Sequence, residues 1–236
     1  MQSEPMAEVD EVALRGYVIC TAPRSGSNWL GQLLSSTGVL GHPLEYFNAP
    51  GRRRISDPSF PGQPEDQVQR VLTSGRTANG VYSVKMFAVQ FRKVARSIRL
   101  TRKLPELRFV TLTRRDTLGQ AISWARALQT EQYRGTQAVR SAPVYNKRAI
   151  ARQLTEILDE YRAWAGYFAR TGPPAAELVY EDLIGDPQGD VDRIAALFGI
   201  AAKLRPEAIG LTIQRDALSE DWRRRFIQEM GDPDGL

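Results

Sequence analysis

"CTAPRSGSNWL" occupies residues 20–30 and follows the apolar run Tyr17-Val18-Ile19. A strand that enters a Pro/Gly/Ser turn and then a helix is a common phosphate holder. The first amides of the helix have no intrahelical partners and lie at the positive end of its dipole. A Walker A loop places lysine directly after its last glycine, whereas here Ser27 follows Gly26. Pro23 and Gly26 shape the turn, so the amides from Ser25 to Asn28 point together. The dipole contributes roughly 0.3–1 kcal/mol to anion binding, up to ~2 when partly buried. Arg24 adds a fixed charge with a planar fork suited to phosphate or sulfate oxygens. Ser25, Ser27 and Asn28 offer side-chain hydrogen bonds, and Trp29 completes the candidate set. The same stretch also reads as a plain helix start with no ligand, so a second element is needed.

Around this loop, short β-type runs alternate with helical patterns. "GYVICTA" (16–22), "VYSVKMF" (81–87), "LRFVTLT" (107–113) and "AELVYED" (176–182) are the expected strands, two of them rich in β-branched and aromatic residues. Helices are expected over 27–37, 64–75, 88–99, 117–130 and 147–170. In the longest, Ile150, Leu154, Ile157, Tyr161, Trp164 and Phe168 recur at three- and four-residue spacing, one buried stripe of an amphipathic helix. Thr171-Gly172-Pro173-Pro174 ends it. The alternation implies βαβ units: an α/β fold with a central, mostly parallel sheet flanked by helices. One domain is expected over 16–230 after a flexible segment, 1–15. Two stretches stand apart. Residues 48–66 hold four prolines and are expected to be irregular and exposed, and 131–146 have little periodicity. Loops this long are often functional.

Composition narrows the classes. The 236-residue chain is 42% hydrophobic, enough for a sizeable core, and carries a formal net charge of +5. That balance suits an anionic ligand. Nucleic acid fits less well, since no Lys/Arg run exceeds the three-residue stretches at 52–54 and 223–225. Cys20 is the only cysteine, so no internal disulfide forms, and a reducing, cytoplasmic setting is expected. The first fifteen residues are acidic and lack a long apolar run, unlike a signal peptide. No window approaches a membrane span, and no Cys/His/Asp/Glu cluster has metal-ligand spacing.

The second element is "TLTRRDTLGQAISWARA" (111–127). Arg115 ends the third strand, Asp116 or Thr117 caps the next helix, and Ser123 lies two turns into it. At 1.5 Å per residue, Arg115 and Ser123 are spaced to clamp one phosphate. Two anion sites at two strand ends match a nucleotide with groups at both its 5′ and 3′ positions: 3′-phosphoadenosine 5′-phosphosulfate (PAPS), the sulfuryl donor.

These stretches resemble the PAPS-dependent sulfotransferases, and among them the bacterial carbohydrate sulfotransferases typified by trehalose 2-sulfotransferase. "APRSGSNWL" (22–30) resembles the 5′-phosphosulfate loop. "GVLGHPLEYFN" (38–48) resembles a short acidic motif of that family. "RRDTLGQAISW" (114–124) resembles the 3′-phosphate motif with its Arg-to-Ser separation of eight. "QRDALSEDWRRRF" (214–226) is similar to a C-terminal motif whose helix closes over the nucleotide. "NGVYSVKMF" (79–87) and "VYEDLIGDP" (179–187) are further signposts, so the likeness runs from 16 to 226.

The resemblance implies a P-loop NTPase-like sulfotransferase fold, sulfuryl transfer and no metal. It makes Glu45 the base that takes the acceptor proton. Arg24 is the stabilising charge, Arg115 and Ser123 hold the 3′-phosphate, and Arg224 and Arg225 are arginines able to reach the nucleotide. Two readings stand for Lys85: it faces donor or acceptor, or it snorkels from the end of the sheet. Tyr46, Phe47 and Trp124 are candidates to stack on a sugar or on adenine, and read equally well as core. His42 as a base is a further possibility, though a single loop histidine is more often incidental. The implied acceptor is a hydroxyl of a sugar, glycolipid or glycoside, and a homodimer is an analogy with relatives. Asn28 stands where the family often has threonine, and "GTQAVRSAP" (135–143) departs from regions expected to shape the acceptor site. Segments 48–66 and 131–146 are expected to border that site. The competing readings are a P-loop-type nucleotide kinase or NTPase, disfavoured by the missing G-x-x-x-x-G-K-[ST], and an inactive nucleotide-binding module.

Overall fold

Four strands pair, all parallel, in the order β2-β1-β3-β4: β1 (Arg15–Thr21), β2 (Val81–Phe87), β3 (Leu107–Thr113) and β4 (Ala176–Val179). The structure, a computed structural model, describes residues 12–130, 142–205, 207 and 216–232. Outside the described residues lie most of the expected N-terminal segment, residues 131–141 of the second long loop, and Gln214 and Arg215 of the C-terminal motif. The chain steps from β1 to β2 on one side, then back across β1 to β3 on the other. The loops leaving β1 and β3 therefore flank a topological switch point, where open α/β sheets bind their ligands.

Ten helices are described: α1 (Ser27–Ser36), α2 (Ala49–Ile55), α3 (Pro64–Ser74), α4 (Ala88–Ala95), α5 (Leu100–Lys103), α6 (Thr117–Thr130), α7 (Lys147–Thr171), α8 (Tyr180–Gly185), α9 (Pro187–Ala196) and α10 (Ala217–Met230). Both faces of the sheet are covered, so β1 is apolar without alternation, as a buried parallel strand must be. Val18 and Cys20 pack with Tyr82, Val84 and Met86 against Val68 and Val71 of α3, Val94 of α4 and Trp164 of α7. Tyr17 and Ile19 pack on the opposite face with Val110 and Leu112 against Leu30, Leu33 and Leu34 of α1 and Ile194 of α9. A third cluster joins α6, α7 and α10 through Ala121, Ala125, Ile150, Ile157, Trp222 and Phe226.

Three expectations need correction. Residues 48–66 are not irregular throughout, because α2 forms within them. The Asn48 side chain caps it by accepting from Gly51 N at 3.1 Å. Pro50 falls in its first turn, where no backbone donor is required. Nor is the segment exposed throughout, since Phe60 is buried in the core. The fourth strand stops at Val179 rather than Asp182. Val179 pairs with Thr113, the last residue of β3, and with no strand beyond to pair with the chain turns into α8. The helix expected over 88–99 ends at Ala95, and a turn separates it from α5.

The stripe read on α7 is borne out at Ile150, Ile157 and Trp164, all buried. Gly172 (φ 97°) ends the helix. The last helix is fastened from several directions: Trp222 is 2% exposed, and Arg126 holds Asp216 with two bonds of 2.7 and 2.8 Å. Replacing Trp222 with alanine is expected to cost about 3–5 kcal/mol, as for other buried aromatics. Hydrogen exchange should locate that loss in α10, with its amides exchanging faster while β1 and β3 keep their protection.

Candidate active site

The loop after β1 is built by side chains that fix its backbone. The Thr21 hydroxyl donates to Leu112 O at 2.7 Å and lies 2.6 Å from Ser25 Oγ. Having only one proton, Thr21 must accept from Ser25. The Ser25 hydroxyl is thus committed to the fold, and its amide is what it can offer an anion. Trp164 Nε1 donates to Thr21 O at 3.1 Å. Arg24 (φ 62°) and Gly26 (φ 87°) both sit in the left-handed region, which costs a non-glycine residue on the order of 1–3 kcal/mol. At Gly26 a side chain is also blocked sterically, because a Cβ would lie 2.2 Å from the Tyr180 ring.

Helix α1 starts at this glycine without a side-chain cap and with no acidic residue in its first turn. By contrast α2, α7, α9 and α10 start on Asn or Asp side chains that take up an amide. Among the described residues no side chain caps α1, and Ser27 is buried with Asn28 and Trp29 half-buried at its opening. Trp29 meets Tyr180 edge-on, ring centroids 6.5 Å apart.

The second element lies against this loop. Arg24 Nε donates to Ser123 Oγ at 3.0 Å, bridging 99 positions of sequence. Gln120 Nε2 donates to Pro23 O at 2.7 Å, and Tyr161 donates to Gln120 Oε1 at 3.0 Å while accepting from Arg114 N at 3.2 Å. Burial pushes the Tyr161 hydroxyl up to about 12, so it stays a neutral phenol. Arg115 lies in the turn before α6 rather than on the strand, with its side chain 59% exposed and paired to Asp182 at 2.5 Å. The Glu181 carboxylate accepts from the amides of Arg115 and Asp116 at 3.0 and 3.2 Å. This gives the "VYEDLIGDP" stretch a role: it holds the turn after β3.

The neighbouring Arg114, which the sequence reading passed over, is the more buried of the pair. It contacts Asp116 at 3.3 Å and lies over the Tyr180 ring at 5.0 Å. Asp116 also takes Arg223 of α10 on both oxygens at 2.7 Å and Gly119 N at 2.9 Å. Burial opposes the charge on Asp116, but these donors outweigh it and hold the carboxyl below its usual value. Of the two arginines expected at the nucleotide, Arg224 pairs with Asp221 in its own helix and Arg225 lies 3.9 Å over the Tyr145 ring.

The acidic motif reaches the site by a backbone bridge. Leu44 pairs parallel to Val84, and Lys85 N donates to Leu44 O at 3.0 Å. This sets Glu45 beside Lys85, a residue only 3% exposed. Lys85 Nζ lies 3.0 Å from Glu45 Oε1 and 2.5 Å from Asn28 Oδ1 in the first turn of α1. Asn48 Nδ2 and Gln90 Nε2 donate to Glu45 Oε2 at 2.8 and 3.1 Å. Burial pushes the Glu45 carboxyl up, but the Lys85 charge and the three donors more than offset it, leaving it below its ordinary value.

The aromatic neighbours go elsewhere. Tyr46 and Phe47 are 2% and 7% exposed and belong to the core, with Tyr46 donating to His42 O at 3.1 Å. Their side chains therefore pack rather than face an acceptor. Trp124 is half-buried against the α6–α7–α10 cluster. Among the described residues no group of three or more His, Cys, Asp or Glu could hold a metal ion, and no helix is long and apolar enough to cross a membrane.

Residues 16–229 match the family model described as Stf0 sulphotransferase. The chain belongs to this sulfotransferase family. It is 29% identical over 260 residues to a trehalose 2-sulfotransferase of Mycobacterium tuberculosis, with 92% of this chain and 96% of that protein covered. It is 26% identical to a trehalose 2-sulfotransferase of Mycolicibacterium smegmatis, covering 93% and 97%. A solved sulfotransferase from Alicyclobacillus acidocaldarius superposes with a TM-score of 0.57 at 16% identity, over 93% of this chain and 94% of that one. The expected α/β sulfotransferase fold is therefore borne out.

In this sulfotransferase the Lys85–Glu45 pair has a measurable signature. Because the Glu45 carboxyl is held below its ordinary value when folded, the pairing stabilises above the ordinary carboxylate range. That stability is lost as pH falls through the depressed value. Lys85→Met leaves a largely buried carboxylate without its counter-charge, which should cost about 3 kcal/mol at neutral pH. The gap to the wild type should narrow towards pH 4, where the unpaired carboxyl takes up a proton. Urea unfolding at the two pH values checks both the size and the sign.

Proposed function

We propose that this sulfotransferase moves the sulfuryl group of PAPS to a sugar hydroxyl, with Glu45 as the general base. The observation that carries the reading is the position of Lys85, whose ammonium joins Glu45 to Asn28 at the start of α1. A carboxylate able to take a proton and a helix start able to take an anion thereby form one assembly. The names of the mycobacterial relatives support a carbohydrate acceptor.

In this scheme the acceptor oxygen attacks sulfur as its proton passes to Glu45. The bond from sulfur to the 5′-phosphate oxygen breaks, and adenosine 3′,5′-bisphosphate leaves with the electron pair. Positioned bases contribute about 10²–10⁴-fold. Arg24 and the amides of Ser25 to Trp29 meet the charge that develops on the bridging oxygen, an electrostatic role suited to groups already oriented before reaction. The depressed Glu45 value keeps the base ionised at neutral pH.

Arg115 and Ser123 hold the 3′-phosphate. For this Arg115 exchanges the Asp182 carboxylate for the phosphate, and the exchange is cheap because both partners are more than half exposed. Exposed pairs of this kind are worth about 0–1 kcal/mol. Ser123 Oγ, which accepts from Arg24, donates its own O–H to the same phosphate. Arg223 is the α10 arginine we tie to this turn, through Asp116. Helix α2 begins at Asn48, which holds Glu45, so this segment borders the acceptor.

Calorimetry without magnesium tests the donor, comparing adenosine 3′,5′-bisphosphate with AMP and ATP. The bisphosphate should bind at micromolar Kd, and both AMP and the Arg115→Ala protein should show at least about tenfold weaker binding, or 1.4 kcal/mol. A preference for ATP, or indifference to the 3′-phosphate, would overturn the donor assignment.

A further inference from the structure

The two oxygens of Glu45 have unequal surroundings. Oε2 receives Asn48 Nδ2 at 2.8 Å and Gln90 Nε2 at 3.1 Å, whereas Oε1 receives Lys85 Nζ at 3.0 Å. An amide side chain can be flipped without changing its shape, so which atom faces Glu45 must come from the other end of each group. Both other ends meet backbone N–H groups, which can only donate. Gly51 N donates to Asn48 Oδ1 at 3.1 Å, and Phe87 N donates to Gln90 Oε1 at 3.0 Å. In each residue the carbonyl oxygen is therefore held by the chain, and the amino group has to point at Glu45.

We infer that Asn48 and Gln90 are positioning residues that clamp Glu45 Oε2 and leave Oε1, beside Lys85, as the oxygen that receives the acceptor proton. The inference rests on the proposed base role of Glu45. A carboxylate oxygen has two lone-pair directions, and the two amino groups use both of those on Oε2. Among the described residues Oε1 has one donor and keeps a lone pair. The clamp also fixes the rotation of the carboxylate, so Oε1 stays on the side where Lys85 reaches Asn28 at the start of α1. Lys85 is the one charged group that acts on Glu45 among its described contacts, since Asn48 and Gln90 are neutral.

The two arms come from different elements, and each is anchored. Asn48 is the cap of α2. Gln90 lies in the first turn of α4, whose opening amides at Ala88 and Val89 are held by the Glu160 carboxylate of α7. That buried carboxylate, which the sequence reading did not single out, thus supports Gln90 from behind.

The test is the titration of the Glu45 carboxyl carbon by ¹³C NMR in the wild type, Asn48→Ser and Gln90→Met, with Glu45→Gln for assignment. Serine keeps a capping oxygen for α2 but cannot donate as Asn48 does. In Gln90→Met the start of α4 is still held by Glu160. Each single variant should raise the Glu45 midpoint by about one unit, a tenfold change in its proton affinity. Binding of adenosine 3′,5′-bisphosphate should stay within about twofold, less than 0.5 kcal/mol.

An unmoved midpoint in both variants would overturn the clamp. So would an equal loss of nucleotide binding, which would mark general distortion. A Glu45→Gln protein that still transferred sulfate at the wild-type rate would instead remove the base role and the proton assignment with it, while the titration would still decide whether the clamp exists.

Discussion

The buried ammonium of Lys85 is the constraint around which the site is organised. A charge that is 3% exposed must be paired and hydrogen-bonded, or its desolvation would cost several kcal/mol. Its two oxygen partners come from separate elements: Glu45 from the segment bridged to β2, and Asn28 from the first turn of α1. Satisfying one lysine therefore pulls a carboxylate up to the anion-ready start of a helix. The parallel bridge at Leu44 and the clamp on Oε2 then fix how that carboxylate faces.

The rest of the site is graded in strength. The link between Asp116 and Arg223 uses both carboxylate oxygens and is less than one-third exposed on each side, so it suits a permanent joint between α10 and the turn after β3. The pair between Arg115 and Asp182 is short but open to water, and salt and competing anions weaken such pairs. The fold thus has a durable contact next to an exchangeable one on the same turn. Exchange is what the role proposed for Arg115 requires.

Much of the fold was legible because burial writes itself into composition. β3 and β4 read as strands from their β-branched and aromatic residues, β1 from its apolar run, and α7 from one apolar stripe. Residues 48–66 misled because prolines argue for irregular chain unless one falls in a first turn, as Pro50 does in α2. The end of β4 was not legible either, since a strand stops where its partner stops and Val179 has Thr113 as its last neighbour.

At the site, the loop and the Arg115–Ser123 spacing were visible as local patterns. Tyr46 and Phe47 could not be assigned because an aromatic beside a polar motif looks the same whether it faces a ligand or the core. Lys85 had two readings because its partners lie 40 and 57 positions away in sequence. Arg114 was hidden behind Arg115, since a doublet does not say which side chain turns inward. Gln90 and Glu160 carry no local signal, because they meet Glu45 and the start of α4 across 45 and 72 positions, whereas Asn48 acts on neighbours three residues away and its cap was hidden by the prolines around it.

The most direct test of the central claim is transfer of ³⁵S-labelled sulfuryl from PAPS to a panel of sugars that includes trehalose, with wild-type and Glu45→Gln proteins side by side. The account predicts labelled sugar with the wild type and a loss of at least about 100-fold with Glu45→Gln, both proteins still binding adenosine 3′,5′-bisphosphate. Undiminished transfer by Glu45→Gln would contradict the base at the centre of the site. Nucleotide binding without label on any sugar would contradict the carbohydrate acceptor.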